Sequence, residues 1–248
     1  MSISIVMAYH NRRNQLKKTL ESIRYFGDPE IIVVDDASDE RIDDLEGITP
    51  IRIEPEQKTW FNSCIPYNMG FAKAKSEIVI IQNPECVHVG DILGYSSQIH
   101  DGIVFSYAAY SLDYHLVYNY YSPEGLKDLI MKEPQRIQVA HHGWYNHSIH
   151  RPVGYHFCMA MMRTDLEKLG GFDERFYAGI AFEDDDLVRR IRNMGLDLQI
   201  IDDPFVIHQK HTRTDYQNNW GRRIMNESLY LKTGKNLIKP PQNKYYGI

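Results

Sequence analysis

The strongest constraint on the fold of this chain is a set of three short apolar runs, at residues 3–7, 31–34 and 78–81. Strands that are apolar on both faces belong in a parallel sheet with helices on both sides, whereas a sheet with one wet face alternates apolar and polar residues. The runs therefore predict an α/β architecture with a mostly parallel, Rossmann-like central sheet.

A helical pattern separates the first two runs. Leu16, Leu20 and Ile23 recur at i, i+4 and i+7, which is the spacing of one helix face. Asn11 or Asn14 is the predicted N-cap of this helix. The other predicted elements are strands at residues 51–53, 103–109 and 156–162, and helices at residues 68–74, from Glu183 to a C-terminal cap at Gly195, and around Trp220 and Ile224.

The second half of the chain is less regular than the first. Residues 110–152 are rich in Tyr, His and Pro without a clear period, and they are predicted to form a loop-rich insertion. No internal repeat, low-complexity segment or linker is visible. The simplest division is one domain over residues 1–211 with a C-terminal extension at 212–248.

Composition narrows the classes of function. The chain of 248 residues is 43% hydrophobic and carries 28 Lys and Arg against 33 Asp and Glu, a net charge of −5, so it is a soluble globular protein and not a disordered one. Nucleic acid is not an expected partner, because its binding needs Lys and Arg to neutralise phosphates and no long basic run is present. The sequence contains no run of 18 apolar residues, so no transmembrane segment is predicted. Peripheral contact with a membrane is compatible with the sequence.

The cysteines indicate the redox compartment. Cys64, Cys86 and Cys158 are odd in number, widely spaced and without a CxxC pair, so neither a disulfide framework nor a zinc ribbon is implied. We therefore predict a reducing, cytoplasmic location.

Polar clusters follow three of the predicted strands, at residues 8–12, 35–39 and 82–85. In an open parallel sheet, ligands collect beyond the carboxyl ends of the strands. Taken alone, Asp35 and Asp36 also fit an ordinary turn in which an Asp caps the next segment. The coincidence of three such clusters favours a binding site.

Four consecutive acids, at residues 183–186, begin the last long predicted helix. One or two carboxylates would complement the positive end of the helix dipole, but four in a row repel one another. The excess predicts that at least one carboxylate faces a cavity, where it acts as a base or holds a cation.

These motifs together resemble the family 2 glycosyltransferases of the GT-A fold. The resemblance rests on residues 4–12, 32–38, 68–70, 170–174 and 183–187, which occur in the family's order and span most of the chain. It implies a single αβα sandwich in which residues 1–100 form the nucleotide-sugar-binding half and residues 101–211 the acceptor and catalytic half. It also implies inversion at the anomeric carbon by direct displacement.

The resemblance assigns roles to individual positions. The nucleotide-binding positions that it implies are Ala8, Tyr9, His10, Asp35, Asp36, Lys58, Asn68 and Asn83. Among these, Asp36 would accept a hydrogen bond from the base or ribose. Asp184 would remove the proton of the acceptor hydroxyl, with Glu183 as the substitute if the register differs by one residue.

The metal motif departs from the family pattern. Where the family has Asp-x-Asp, this chain has Asn83-Pro84-Glu85, so Glu85 is the remaining carboxylate. The resemblance points to a late histidine as a second ligand, with His208 preferred over His211. An imidazole ligand favours Mn²⁺ over Mg²⁺, which prefers oxygen. The competing interpretation of the two late histidines is that both are incidental loop residues. A zinc hydrolase is disfavoured as a class of protein, because no HExxH motif is present.

Aromatic and histidine residues outside the motifs supply candidates for the acceptor side. Trp60 and Trp144 would suit an acceptor groove, because sugar rings stack on aromatic faces. Core or lid packing is the competing interpretation for each aromatic residue. Further members of this group are Tyr114, Tyr118, Tyr120 and Tyr121, together with His141, His142, His147 and His150, which lie in an acceptor-facing loop or are structural.

The sequence thus predicts an inverting, metal-assisted hexosyltransferase of polysaccharide biosynthesis. It would move a sugar from a nucleoside-diphosphate donor to a hydroxyl of a glycan or lipid-linked acceptor. A catalytically silent nucleotide- or glycan-binding module of the same fold is the alternative, since the metal motif is altered. A signalling receiver domain is disfavoured, because Gln82 and Asn83 follow the strand whose end should carry a phosphorylatable Asp.

Overall fold

The computed structural model of the chain describes residues 1–119, 122–139, 142–211, 219–234, 236–241 and 243–246. Three residues of the predicted acceptor group, Tyr120, Tyr121 and His141, lie outside the described residues.

Strands and helices alternate through the first half of the chain and mix less regularly in the second. The strands are β1 Ile3–Tyr9, β2 Glu30–Asp36, β3 Thr49–Ile53, β4 Ile78–Gln82, β5 Cys86–Val89, β6 Ile103–Leu112, β7 Gly143–Asn146, β8 Cys158–Met162 and β9 Asp197–Gln209. The helices are α1 Arg13–Phe26, α2 Cys64–Phe71, α3 Ile92–Ser96, α4 Tyr114–Tyr118, α5 Pro123–Lys132, α6 Arg163–Leu169, α7 Glu183–Asn193 and α8 Trp220–Lys232, with short 3₁₀ turns at Pro55–Gln57 and Glu174–Ala178.

One mixed sheet runs through the described part of the molecule, in the order β3-β2-β1-β4-β8-β6-β9-β5, with β7 paired to β6. The first four strands are parallel, as are β6 and β9, whereas β8 is antiparallel to both of its neighbours. The predicted α/β sandwich with a Rossmann-like parallel half is confirmed. The antiparallel strands are confined to the second half of the chain and to β5.

Each face of the sheet is covered by its own apolar cluster, which is why β1 is apolar at most positions on both of its faces. Ile5 and Met7 belong to one cluster with Leu16 and Leu20 of α1. Val6 belongs to the cluster on the opposite face, with residues of α2 and α7. Gly70 lets α2 approach β1 closely, because a Cβ at this position would lie 2.4 Å from Val6 Cγ1.

The start of α1 differs from the prediction. Its N-cap is Arg12, which makes no side-chain capping bond, so the prediction of Asn11 or Asn14 as the cap is wrong. Asn11 instead exchanges hydrogen bonds with residue Asp39 on the loop after β2. Its side chain is used to tie two loops together.

Other boundaries shift by a few residues. The helix predicted at residues 68–74 begins at Cys64, and the strand predicted from His156 begins at Cys158. Residues 110–152 hold α4, α5 and β7 as well as loops. At the end of α7, Gly195 has a φ of +76°, the left-handed conformation predicted for a glycine after a helix.

The C-terminal segment packs on the main core. Tyr246 is buried and its ring lies 5.7 Å from that of Phe71 in α2. Asn243 Nδ2 donates hydrogen bonds to the carbonyls of Gly170 and Phe172. Within the described residues, no helix combines the length and apolar character that crossing a bilayer requires.

Candidate active site

Asp36, the last residue of β2, is the centre of a small polar group. Its carboxylate accepts a hydrogen bond from Lys58 Nζ at 2.8 Å and another from Trp60 Nε1 at 2.9 Å. His10 Nδ1 donates to the backbone carbonyl of Asp36 at 2.9 Å. The structure therefore brings together Asp36 and His10 at the carboxyl end of the parallel strands, where the sequence places both, and adds Lys58 to them.

Asp35 performs the turn role that the sequence left open. Its Oδ1 accepts the backbone N–H of Ser38 at 3.0 Å, and its Oδ2 accepts from Arg52 Nη1 at 2.7 Å. The side chain of Tyr9 belongs to the core cluster and is 1% exposed, so it does not line an open cleft. Ala8, in contrast, is partly buried against the opposite cluster.

Asn68 holds two segments of the second half together. Its Nδ2 donates to the carbonyl of Phe172 and to Glu174 Oε1, both at 2.9 Å, and its Oδ1 accepts the N–H of Phe172 at 2.9 Å. The side chain is fully buried. In this structure it fixes the turn that precedes the 3₁₀ segment and does not reach the group around Asp36.

Glu85, His208 and His211 form a cluster that could hold a metal ion. Glu85 Oε1 lies 3.1 Å from His208 Nε2 and 3.2 Å from His211 Nε2. One ligand atom from each residue lies within 4.8 Å of the others. The antiparallel pairing of β5 with β9 places Cys86 opposite His208, which explains why Glu85 meets the end of β9.

A cation already neutralises Glu85 in part. Arg12 Nη1 lies 3.1 Å from Glu85 Oε2. Burial opposes ionisation of Glu85, but Arg12 and the hydrogen bonds from the two histidines outweigh it and hold the pKa of the carboxyl well below its usual range. Burial lowers the pKa of His208, so its imidazole is neutral near pH 7, the form in which it binds metals.

Each of the four acids at the start of α7 has partners of its own. Glu183 Oε2 accepts from Asn62 Nδ2 at 2.6 Å, and Asp184 pairs with His156. Asp185 Oδ1 accepts from Tyr155 OH at 2.7 Å. Asp186 is fully buried in ion pairs with Arg189 and Arg190, both at 2.6 Å. These separate partners relieve the repulsion that the sequence suggested.

His156 is a site residue that the sequence analysis missed. Burial opposes protonation of its imidazole, but the neighbouring carboxylates of Asp184 and Glu183 outweigh it and raise the pKa of His156. The pKa of Glu183 is raised to about 7, chiefly by burial and then by the charge of Asp184. No local sequence pattern identifies His156 as a site residue, because its partner Asp184 lies 28 residues further along the chain.

The turn at His156 and Phe157 joins the acidic group to the histidine cluster. His156 pairs with Asp184, while the ring of the next residue, Phe157, meets the ring of His208 edge-on at 5.6 Å. Phe157 also accepts a backbone hydrogen bond from Asn83 N at 3.1 Å. Asp184 and the candidate metal cluster therefore lie on the two sides of one turn.

Backbone strain concentrates beside these groups. Among the described residues, the non-glycine positions with positive φ are Asn11, Ala37, Ala181 and Phe182. The last two directly precede Glu183, and the first two follow β1 and β2. A left-handed backbone costs non-glycine residues about 1 kcal/mol or more and persists where the surroundings enforce it, often at functional sites.

Two of the aromatic predictions are wrong. Trp144 is 1% exposed and packs against Tyr110 and Phe205, so it lines no acceptor groove. Trp60 is 4% exposed and holds Asp36 by its indole N–H. The competing core interpretation holds for both residues.

The remaining described members of the predicted acceptor group pair with a nearby residue or pack against one another. His142 pairs with Glu133 at 3.0 Å, and the rings of His147 and His150 lie 4.6 Å apart. The rings of Tyr114 and Tyr118 lie 5.7 Å apart.

Two sequence families match separate parts of the chain. Residues 4–95 match the glycosyl transferase family 2 model, and residues 145–212 match the model described as the N-terminal domain of galactosyltransferase. The first segment holds Asp36 and Glu85, and the second holds His156, Asp184 and both late histidines. No curated protein sequence matches the chain.

Solved structures with similar folds include a mannosyltransferase and two further proteins in complex with UDP. The S. aureus TarS 1-349 structure in complex with UDP has a TM-score of 0.57 at 14% identity and covers 85% of this chain and 61% of its own. The mannosyltransferase PcManGT from Pyrobaculum calidifontis, in complex with GDP-Man and Mn²⁺, has a TM-score of 0.52 at 15% identity and covers 94% and 64%. GalNAc-T7 with UDP, GalNAc and Mn²⁺ has a TM-score of 0.55 at 14% identity and covers 86% and 44%.

This chain therefore spans less than two thirds of the length of those structures. At such low identity the likeness establishes the fold, which is the GT-A fold. The sequence matches and the fold agree, and the resemblance of the chain to the family 2 glycosyltransferases of the GT-A fold is confirmed.

Proposed function

We propose that the chain is an inverting, divalent-metal-dependent glycosyltransferase that moves a hexose-type sugar from a nucleoside diphosphate to a hydroxyl of a glycan or lipid-linked acceptor. One observation carries the proposal: Asp184 and the cluster of Glu85, His208 and His211 lie on the two sides of the His156–Phe157 turn. A base for the acceptor and a site for the donor's diphosphate are the two parts that such a transfer needs.

Asp184 is the proposed general base. As the acceptor oxygen forms its bond to the anomeric carbon, the bond from that carbon to the diphosphate oxygen breaks, and the acceptor's proton passes to the carboxylate. The side chain of Asp184 is 27% exposed, so a substrate can reach it. His156 fixes the carboxylate by holding Oδ1, which leaves Oδ2 outside that pair.

Glu183 is the proposed supporting acid. Asn62 holds its carboxylate, and a pKa of about 7 means that a proton resides there for much of the time near neutral pH. A neutral Glu183 reduces the negative charge beside Asp184. This assignment makes Asp184 the ionised member of the pair during transfer.

The histidine cluster fits a divalent cation of the Mn²⁺ type, with Mg²⁺ as a weaker substitute. One carboxylate oxygen and two imidazole nitrogens are a mixed ligand set, which suits Mn²⁺ better than Mg²⁺. Glu85 Oε1 lies 3.1 Å from His208 Nε2 and 3.2 Å from His211 Nε2, so these three residues would hold the ion. A bound ion would stabilise the charge that develops on the departing diphosphate.

The Asp36 group is the proposed nucleoside site. The carboxylate of Asp36 keeps acceptor capacity for a ribose or base donor beyond the bonds from Lys58 and Trp60. Lys58, whose side chain is 23% exposed, adds positive charge beside it. The backbone of Ala8, Tyr9 and His10 and the amide of Asn83 complete the proposed donor side, with Asn68 and Asp35 as its structural support.

The setting of the reaction is part of the proposal. The three cysteines are free and buried, which supports a reducing, cytoplasmic site of action in polysaccharide synthesis. We further propose that residues 1–211 form the transferase domain and that residues 212–248 are an extension of it. Peripheral membrane contact would bring the enzyme to a lipid-linked acceptor.

Removal of a metal ligand tests the proposal. Glu85→Gln and His208→Ala are each expected to raise the Mn²⁺ concentration needed for half-maximal nucleoside-diphosphate binding by about 10-fold or more, because even a hydrogen-bond partner of a ligand is worth that much. Calorimetric titrations of UDP and GDP at a series of Mn²⁺ concentrations measure this shift. The double variant should lose little more than the worse single variant, since ligands of one ion act as a unit.

The control for these variants is His100→Ala, which removes an exposed imidazole distant in sequence from the cluster. It should leave the Mn²⁺ requirement unchanged. Circular dichroism should show that the variants remain folded. An effect of His211→Ala without one of His208→Ala would move the ligand by three residues, and equal nucleotide affinity of the parent protein in excess chelator would refute the metal site.

A further inference from the structure

A cavity of about 380 Å³ lies along α7, beside the proposed catalytic group. Its lining includes Tyr155, Asp185, Arg189, Arg192 and Tyr230. The volume falls within the range of roughly 300–1,000 Å³ that is typical of small-molecule sites. Because Asp185 follows Asp184 directly, one end of the cavity adjoins the proposed base.

The two ends of the cavity carry opposite charge. Asp185 lies at the first turn of α7 and Arg192 at its last turn, seven residues or about 10 Å along the helix axis. The lining also includes Tyr155 and Tyr230, whose hydroxyls suit a sugar. An occupant that matches this wall has hydroxyl donors at the Asp185 end and an anionic group at the Arg192 end.

At the Arg192 end of the cavity, the arginines have hydrogen-bonding capacity that the described residues do not use. The guanidinium of Arg189 donates to Asp186 at 2.6 Å and to the Tyr230 carbonyl at 2.9 Å, and it stacks on the Tyr230 ring at 4.0 Å. Its Nε is buried without a hydrogen-bond partner among the described residues. Arg192 is exposed, and no ion pair of it is found in the part of the chain that the structure describes.

We infer that this cavity binds a unit of the acceptor next to the one that is glycosylated, and that this unit is a sugar with an anionic substituent, either phosphate or carboxylate. That the bound sugar is part of the acceptor rests on the proposed function. Asp185 and Tyr155 bind hydroxyls of the unit, and Arg192 binds its anionic group with the charge of Arg189 behind it. Charge-assisted bonds of a guanidinium to phosphate or carboxylate are the stronger class of hydrogen bond.

The test compares glucose 6-phosphate with glucose as probes, in buffer with a chelator so that no metal site attracts the phosphate. Protein labelled at its valine methyl groups is titrated and followed by NMR, with Val153 and Val188 of the cavity wall as reporters. Glucose 6-phosphate is expected to shift these two methyl signals with a dissociation constant about tenfold or more below that of glucose. Glucuronic acid, which carries a carboxylate, should also bind more tightly than glucose.

Arg192→Gln is expected to abolish the advantage of the charged probes, and Arg192→Lys should keep part of it. The matched control is Arg24→Gln, because Arg24 is an exposed arginine in the last turn of α1, as Arg192 is in α7. That control should bind the probes as the parent does. Equal affinity for glucose and glucose 6-phosphate, unchanged binding in Arg192→Gln, or absence of shifts at Val153 and Val188 would each overturn the inference.

Calorimetric titration of UDP and GDP with Mn²⁺ into separate, chelator-free samples of the same protein distinguishes this inference from the proposed function. If the nucleotides bind but the charged sugars do not, the cavity is not an anionic subsite and the proposed function stands. If the charged sugars bind but neither nucleotide does, the cavity is a sugar site and its assignment to an acceptor is overturned together with the proposed function.

Discussion

The Asp184→Asn variant is expected to transfer sugar about 10²-fold more slowly than the parent protein, or slower still, which is the usual loss when a general base is removed. An asparagine side chain keeps the size of the aspartate but cannot accept the proton of the acceptor hydroxyl. Nucleoside-diphosphate affinity should remain nearly unchanged, because the donor's diphosphate is assigned to the opposite side of the His156–Phe157 turn. Initial rates with a competent acceptor and calorimetry with the nucleotide measure the two quantities.

Glu183→Gln is the comparison that makes this result specific. It removes the neighbouring carboxylate, and it should slow transfer much less than Asp184→Asn does. A large loss in Glu183→Gln alone would move the base by one residue, and full activity of Asp184→Asn would remove it from the mechanism. A real acceptor is needed, since hydrolysis of the donor by water does not require the same base.

Asp186→Asn is expected to lower the free energy of unfolding by about 3–5 kcal/mol, the usual cost of removing one partner from a buried ion pair. The side chains of Asp186 and Arg190 are both fully buried, and the guanidinium of Arg190 also donates to the carbonyls of Leu169 and Gly171. Without the carboxylate, the buried charge of Arg190 would be left with neutral backbone carbonyls as its acceptors. Urea denaturation followed by circular dichroism measures the loss.

Asp44→Asn is the control for that experiment, because the same chemical change is made in an exposed ion pair with Arg13. Solvent screens such a pair, and the free energy of unfolding should hardly change. A loss for Asp186→Asn no larger than that of the control would mean that Arg190 is adequately held by backbone carbonyls alone. The ion pair of Asp186 with Arg190 would then not be a main source of stability.

The parallel half of the sheet could be predicted because each of its central strands is buried on both faces. Residues such as Val6 and Ile80 lie on opposite sides of the sheet, yet both are fully buried, so the sequence is apolar without a break. Helix α1 was equally visible, since only one of its faces is covered. Its cap was not, because Asn11 is used in bonds to a loop that is 28 residues away.

The antiparallel strands were harder to predict from local pattern. The first half of β9 is partly exposed and includes Asp202 and Asp203, so no apolar run marks it. Strand β5 has only four residues and follows β4 closely. Such strands are defined by their neighbours in the sheet, which the local sequence does not contain.

The same distinction applies to the candidate site. Asp36 was expected at the carboxyl end of the parallel strands because it directly follows an apolar run, and the structure adds its contact with Lys58. The pair of His156 with Asp184, and the contact of Glu85 with His211, depend on tertiary pairing of distant segments. A family resemblance pointed to Asp184, Glu85 and His211 but not to His156, and only the fold shows which of these residues touch.

The most direct test of the central claim is an anomalous diffraction measurement at the manganese edge, on crystals of the protein with Mn²⁺ and a nucleoside diphosphate. The account predicts one strong peak between Glu85, His208 and His211, about 2.1 Å from the ligand atoms, with the diphosphate bound to the same ion. A diphosphate bound without a peak at this cluster, or a manganese ion held elsewhere in the cleft, would contradict it.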